Sequence, residues 1–365
     1  MVGPLELFYD LVVVTLVAQT ALLLAERPNW RGLGEFATVF TIVWIAWLNG
    51  SLHHELHGRE DARGRSTFLL QILVLVPFGA CISRAGGDRG GAFAVTAGVL
   101  FALLAGLWTL ASRRDSSEYR RASRIFVAGT ALCSAVMLAS AALPTDVRML
   151  VWAMLAVAYL VGFALMVLTA TPVRAATLTI TDALIERFGL FIIIVLGETV
   201  AGVVAGLDGG PIDALTLAVG LVAVVVGFGA WWSYFDFAGG RPPRPGRAAT
   251  LSWIMAHLPL TMAITVMGAA IARLVDHAHD ARTPAAASWM LCAGTAVTLC
   301  TTMVLASTLK DWSVRPGHYR PLAVACGAAA VAALALGAVR PAPLALSLIL
   351  VALYSIPWGV AVARR

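Results

Sequence analysis

The sequence has few charged residues. Only 13% of its 365 residues are charged, while 60% are hydrophobic, and a soluble globular domain carries about 25% charged residues. The apolar residues form continuous runs of about 20 positions, the length at which a helix crosses a ~30 Å hydrocarbon core. The composition therefore excludes a soluble enzyme with one anchor and a disordered protein. The continuous runs exclude a β-barrel, whose strands alternate.

The sequence also lacks the common motifs of soluble catalysis. It has no glycine-rich phosphate-binding loop, no nucleophile elbow and no pair of Asp-rich diphosphate-binding motifs, so it implies no cofactor. No basic stretch is interleaved with aromatic residues, which argues against a nucleic-acid partner. The cysteines lack metal-ligand spacing, and we interpret them as packing residues inside helices. They are Cys81, Cys133, Cys292, Cys300 and Cys326.

These features predict an all-α, polytopic transmembrane helix bundle of about twelve helices. The predicted spans are 8–25, 35–52, 66–86, 91–112, 124–142, 148–169, 188–206, 213–237, 250–272, 283–308, 320–338 and 341–362. An even number of spans places both termini on one side, and the segments on that side carry 18 Lys and Arg residues against 8 on the other. Positive charge collects on the cytoplasmic side. We therefore expect both termini in the cytoplasm, a bacterial inner-membrane location and a lipid bilayer as partner.

A weak duplication relates the two halves of the chain. Three matches occur in order at offsets of 180, 184 and 186, namely Glu6 with Glu186, 46–49 with 230–233, and Gln71 with His257. Six helices per half would place both halves in the same orientation. We predict a parallel 6+6 internal repeat, with residues 1–187 as the N-terminal half and cytoplasmic linker and 188–365 as the C-terminal half.

Glu198 is the clearest candidate for a functional residue. It lies about ten residues, or ~15 Å, beyond the start of the seventh predicted span, which is near the bilayer midplane. A charged side chain at that depth is costly, so it is a functional candidate by default. The alternative is a protonated or hydrogen-bonded structural glutamate. Gly197 beside it predicts that another helix backbone approaches closely at this level.

Other polar groups collect in the cytoplasmic half of the predicted bundle. They are Asp10, Asn49, Gln71, Glu186, Arg187, Asp236 and His257. Their position predicts a polar cavity that opens to the cytoplasm and ends at Glu198. The positive end of the helix dipole offers Glu6, Asp10 and Glu186 a purely structural explanation.

Two further clusters allow more than one interpretation. The eighth span ends in Trp231, Trp232, Tyr234 and Asp236, which is typical of an interfacial aromatic belt. The same residues could form an aromatic wall beside a carboxylate, suited to a cation. His53 and His57 would share a helix face if the second helix continued, but their His-Glu-x-His order does not match a zinc hydrolase motif. We interpret that segment as a solvated loop and predict no metal site.

The chain resembles the bacterial low temperature requirement A (LtrA) membrane protein family. The resemblance rests on residues 5–12, 47–49, 186–199, 231–236 and 257–259. It implies the polytopic fold but no defined reaction. Its shared residues are mainly the intramembrane polar groups, which agrees with the candidates named above. The family pattern leads us to expect a further acid where Gly58 stands and a histidine where Ala183 stands, so a ligand set there would be altered.

Two functions stay open at this point. The first is binding and translocation of a small ion or polar solute, with Glu198 as the central carboxylate, Asp10 and Asp236 at the cytoplasmic entrance and His257 as a proton partner. The second is a membrane-embedded enzyme acting on a lipid or isoprenoid-like substrate, with Asp10, Glu198 or Asp236 as the acid. A sensor or assembly factor held together by these groups is a third possibility.

Overall fold

The computed structural model describes residues 3–58, 62–113, 117–169 and 180–363. Within them the chain forms thirteen helices, twelve of which are long and apolar enough to cross a membrane. The helices are α1 (Pro4–Glu26), α2 (Trp30–His57), α3 (Ala62–Ile82), α4 (Gly90–Ser112), α5 (Ser117–Ser140), α6 (Thr145–Thr169), α7 (Asp182–Asp208), α8 (Ala214–Phe237), α9 (Arg247–Asp276), α10 (Ala285–Thr308), α11 (Lys310–Val314), α12 (Pro316–Val339) and α13 (Pro343–Val362). The predicted all-α bundle of twelve spans is confirmed.

Several helices extend beyond their apolar cores. The second predicted span, 35–52, is part of α2, which begins five residues earlier and ends five residues later. The side chain of Asn29 accepts a hydrogen bond from the Gly32 N–H and caps this helix. Asp213 caps α8 in the same way through the Thr216 N–H, and that bond holds the pKa of Asp213 below its ordinary value. Capping side chains let polar residues continue a helix past its apolar stretch.

The first compact unit comprises Met1–Leu184 and Gly246–Leu251. Within it α1 packs on α2 and α3, α4 packs on α3 and α5, and α6 packs on α2. The helix α2 lies at the centre of this unit, since 78% of its most apolar 18-residue segment is buried. This central helix carries several of the polar residues singled out above.

The second compact unit comprises Ile185–Pro245 and Ser252–Arg365. Here α8 packs on α13, and α10 packs on α12 and α8. The most buried span of this unit is α9, in which 72% of the most apolar 18-residue segment is buried.

Burial does not follow the predicted correspondence between the halves. The predicted partner of α2 is α8 and that of α9 is α3, yet α8 and α3 are only 39% and 33% buried. The 6+6 repeat and its boundary at 187/188 stay predictions.

Candidate functional site

The carboxylate of Asp10 is held between α1 and α2. Asp10 is fully buried, and the indole Nε1 of Trp47 donates a 3.0 Å hydrogen bond to its Oδ1. A hydrogen bond from an indole N–H offsets part of the desolvation cost of a buried carboxylate. The pair therefore fixes Asp10 in the core of the first unit.

Replacing Trp47 with Phe should lower the stability of the protein by about 1 kcal/mol, because the change leaves Asp10 Oδ1 without its indole donor. The matched control is Trp44→Phe. Trp44 is equally buried on the same helix, but its Nε1 bonds no acceptor among the described residues. Unfolding in detergent, followed by circular dichroism, measures both variants. Equal losses of stability would contradict a specific role for the Trp47 bond.

A second face of α2 carries Asn49. This residue is buried, its amide nitrogen donates to the Ile45 carbonyl at 2.7 Å, and its amide oxygen accepts a 2.8 Å bond from the Tyr159 hydroxyl on α6. Both ends of the amide are thus occupied. Asn49 connects α2 to α6, and the second N–H of its amide donates to no acceptor among the described residues.

A third face of α2 approaches α1 and α3 around Gly50. A Cβ on Gly50 would lie 2.7 Å from the Tyr9 hydroxyl and 3.3 Å from Gln71 Oε1, so a larger residue there would displace the Tyr9 hydroxyl. Gln71 is buried, and its Oε1 accepts no hydrogen bond within the described ranges. An unsatisfied buried oxygen calls for a donor such as water, an ion or a solute. Gln71 is therefore the binding candidate of the first unit.

The histidine segment is helical and not the solvated loop that we predicted. The helix α2 continues to His57, and the ring centroids of His53 and His57 are 5.7 Å apart. Each ring also contacts Trp108 of α4 edge-on. The aromatic contact stabilises this last part of α2. No group of three or more metal-ligating side chains occurs in the part of the chain that the structure describes. Glu60 and Asp61 lie outside the described residues.

Glu198 lies in the middle part of α7, 16 residues after Asp182 and 10 before Asp208. Its side chain is partly exposed and makes no hydrogen bond or ion pair within residues 3–58, 62–113, 117–169 and 180–363. At 1.5 Å per residue it is ~15 Å from the nearer end of the helix. The carboxylate is therefore accessible and uncommitted at membrane depth.

A close approach of α7 and α9 fixes the position of Glu198. A Cβ on Gly268 of α9 would lie 2.8 Å from the carbonyl carbon and oxygen of Glu198, and Gly202 of α7 meets the Gly268 carbonyl in the same way. The predicted glycine was the wrong one. Gly197 is exposed and a Cβ there would meet nothing within 4 Å among the described atoms. Glycines face a partner helix only on the side where that helix packs.

His257 of α9 is fully buried in an aromatic box. Its ring contacts Phe188, Trp253 and Tyr234. Its Nδ1 lies 2.7 Å from the Trp253 carbonyl and its Nε2 lies 3.1 Å from the Tyr234 hydroxyl. Because a carbonyl can only accept, we assign the proton to Nδ1, and Nε2 then accepts from Tyr234. With this assignment the imidazole is neutral and accepts a hydrogen bond from Tyr234.

The structure separates His257 from Glu198 along the membrane normal. Phe188 contacts His257 and Glu198 contacts Gly268, so α7 and α9 run side by side in the same direction. Ten residues of α7 separate Phe188 from Glu198, which corresponds to ~15 Å. The two groups cannot exchange a proton directly, contrary to the simplest form of the sequence hypothesis.

The residues at the end of α8 divide between the surface and the interior. Trp231 and Trp232 are each 37% exposed, whereas Tyr234 is buried against His257. Trp232 Nε1 donates a 3.0 Å bond to Asp236 Oδ2. Trp231 stacks on Phe228 with centroids 5.2 Å apart. The aromatic residues thus form a surface cluster next to a carboxylate, with Tyr234 turned inward.

The paired residues at the start of α7 have opposite environments. Glu186 is exposed, whereas the guanidinium-bearing side chain of Arg187 is almost fully buried. A buried arginine requires acceptors close by. Position 186 is therefore reachable from solvent, while Arg187 belongs to the interior.

Two polar clusters were not predicted from the sequence. Glu35 of α2 is buried and accepts bonds from Arg27 and Arg31 beside a cavity of about 140 Å³. The hydroxyls of Thr298 on α10 and Tyr354 on α13 both donate to the Met267 thioether at 3.9 Å. The hydroxyl of Thr302, also on α10, is buried and has no partner among the described atoms. The four-residue spacing of Arg31 and Glu35 could have predicted an ion pair on one face of a helix. Isolated threonines in an apolar run predict no such contact.

A comparison with models of protein families shows to which family the chain is similar. The model of the bacterial low temperature requirement A protein (LtrA) matches residues 1–356, nearly the whole chain. No curated protein matches the chain.

Proposed function

We propose that this protein, which belongs to the bacterial low temperature requirement A (LtrA) family, binds a small ion or polar solute and translocates it across the membrane. The observation that carries the proposal is the uncommitted carboxylate of Glu198 at membrane depth. A carboxylate kept in such a place without a protein partner is costly unless it takes up a proton or a cation. Glu198 is the binding group in this account.

The helix contact behind Glu198 supports the proposal. Gly202 and Gly268 bring the backbones of α7 and α9 together, so the Glu198 side chain is anchored on a rigid part of the second unit. A binding group on a packed helix keeps its geometry better than one on a loop. Met267 directly precedes Gly268 on α9, and its thioether accepts hydrogen bonds from the hydroxyls of Thr298 and Tyr354. These buried hydroxyls connect α10 and α13 to α9.

We assign Asp10 of the first unit and Asp236 of the second unit each to the cytoplasmic side of the inner membrane, which also holds both termini. Asp236 is partly exposed and reaches its surface position through the bond from Trp232. Gln71 offers an unsatisfied oxygen in the first unit. Asp236 attracts a cation in the second unit, and the Gln71 oxygen is an acceptor for a donor such as water in the first unit.

His257 acts as a proton partner only through intermediates. Its Nε2 accepts from the Tyr234 hydroxyl, so a proton that reaches Tyr234 can pass to the imidazole. The ~15 Å of helix between Phe188 and Glu198 then requires water molecules between the two groups. We assign both residues to one proton path, in which Glu198 is the group nearest the middle of the membrane.

Reconstitution tests this function. Purified protein in liposomes loaded with a pH-sensitive dye is given an outward proton gradient, with potassium and valinomycin to balance charge. We expect the internal pH to equilibrate faster than in protein-free liposomes of the same lipid. Equal rates with and without protein would contradict proton-coupled translocation.

One observation favours the second function, an enzyme acting on a lipid-like substrate. Trp231 and Trp232 lie on the apolar surface, and Trp232 contacts the Asp236 carboxylate. Aromatic rings beside an acid can stabilise a cationic intermediate. Absence of flux in the wild type, together with loss of an added isoprenoid alcohol from the same vesicles, would support this alternative.

A further inference from the structure

A crevice of about 290 Å³ separates α5 from α6 in the first unit. Two glycines line it. A Cβ on Gly162 of α6 would meet no described atom within 4 Å, while Gly129 of α5 lies against the Tyr159 ring, 3.3 Å from where its Cβ would be. Phe126 and Phe163 lie at one end, with ring centroids 6.4 Å apart. Two helices that would otherwise pack thus leave room for a guest.

The lining of the crevice is apolar and open to the lipid-facing surface. Ile125 and Leu132 on its rim are 43% and 57% exposed. The Tyr159 ring lines the crevice, but its hydroxyl is bonded to Asn49. The lining therefore suits an apolar guest, and the Tyr159 hydroxyl needs no bond from that guest because it already bonds Asn49.

The length of the crevice matches one leaflet of a bilayer. Its lining runs from Ile125 to Cys133 on α5 and from Leu155 to Met166 on α6. These segments are ~12 Å and ~16 Å long along the helix axis. Half of the hydrocarbon core is ~15 Å thick. An acyl chain lying along the helices would fill the crevice from the membrane surface to the midplane.

Basic residues flank the end of the crevice where a lipid headgroup would lie. Arg124 precedes Ile125 and is exposed. Arg247, which belongs to the same compact unit, donates a 3.0 Å bond to the carbonyl of Leu168, two residues beyond Met166. Arginine side chains at the membrane surface attract anionic headgroups.

We propose that the crevice between α5 and α6 binds one anionic phospholipid, with an acyl chain between Gly129 and Gly162 and the phosphate beside Arg124 and Arg247. The site is independent of the proposed transport function, because none of its residues serves Glu198. The lipid stabilises the contact between α5 and α6.

Native mass spectrometry of the full-length protein tests the site. The probes are phosphatidylglycerol and phosphatidylcholine with identical acyl chains, added to delipidated protein in detergent. We expect one phosphatidylglycerol to be retained in preference to phosphatidylcholine. Arg124→Gln and Arg247→Gln should each reduce that preference about fivefold, the weight of one arginine at a membrane surface.

Filling the crevice provides the second arm of the test. Gly162→Phe should remove the retained lipid, while Gly106→Phe on α4 should leave it unchanged. Gly106 is likewise exposed, and a Cβ there would meet no described atom within 4 Å. Equal retention of the two lipids by the wild type would overturn the proposal. So would normal phosphatidylglycerol retention by Gly162→Phe, or an unchanged preference in both arginine variants, which do not alter the crevice itself.

Discussion

Glu198→Gln is expected to reduce proton flux in proteoliposomes to the level of protein-free vesicles, while the protein stays folded. Glutamine keeps the size and shape of the side chain, but it replaces one carboxylate oxygen with an NH2 group and cannot bind or release a proton at neutral pH. Glu198 makes no hydrogen bond or ion pair within the described part of the chain, so the substitution breaks no such contact there. Loss of flux would then report the missing charge and not a damaged fold.

The control for this variant lies on the same helix. Asp208 is an exposed carboxylate at the last position of α7. Asp208→Asn removes the same charge from a position outside the apolar part of the helix, and we expect normal flux. Normal flux in Glu198→Gln would exclude Glu198 as the binding group, and equal losses in both variants would point to a nonspecific charge effect.

Gly268→Val should destabilise the second unit by about 3 kcal/mol or more, at the upper end of the cost of overpacking. The first added carbon already lies 2.8 Å from the backbone of Glu198. Neither backbone can yield without moving a helix, so α7 and α9 must separate. Detergent-induced unfolding followed by circular dichroism measures the loss, and the displaced Glu198 should also reduce flux.

The matched control is Gly197→Val, next to Glu198 on α7. A Cβ there would meet nothing within 4 Å among the described atoms, and the residue is exposed. We expect at most a small change in stability, since a valine on an apolar helix surface fits a membrane environment. If Gly197→Val were as destabilising as Gly268→Val, the helix contact at Gly268 would not explain the effect.

The span pattern and the isolated carboxylate were readable from the sequence. Twelve apolar runs specify twelve membrane helices because length and hydropathy suffice for that inference. Glu198 stood out because a charged residue inside such a run is rare. The packing around it was not readable. The sequence offers Gly197, Gly202 and Gly268 without distinction, and only the rotation of α7 against α9 decides which glycines face a neighbour.

Pairings between distant helices were beyond sequence reasoning. Asp10 was a candidate and Trp47 only part of a repeat match, and nothing in the chain indicated that the indole bonds the carboxylate. Likewise, His257 and Tyr234 came from different clusters but form one hydrogen-bonded pair. The predicted solvated loop at 53–57 was wrong because His53 and His57 contact Trp108, which continues α2 by aromatic packing. Such contacts depend on tertiary neighbours that no local pattern records.

Carbodiimide labelling tests most directly whether Glu198 is a protonatable carboxylate open to the membrane interior. Dicyclohexylcarbodiimide is apolar and reacts with protonated carboxyl groups, and peptide mass spectrometry locates the product. We expect modification at Glu198, loss of that product in Glu198→Gln, and loss of proton flux in the modified wild type. An unmodified Glu198 at every pH tested, or full flux after its modification, would contradict this role of Glu198.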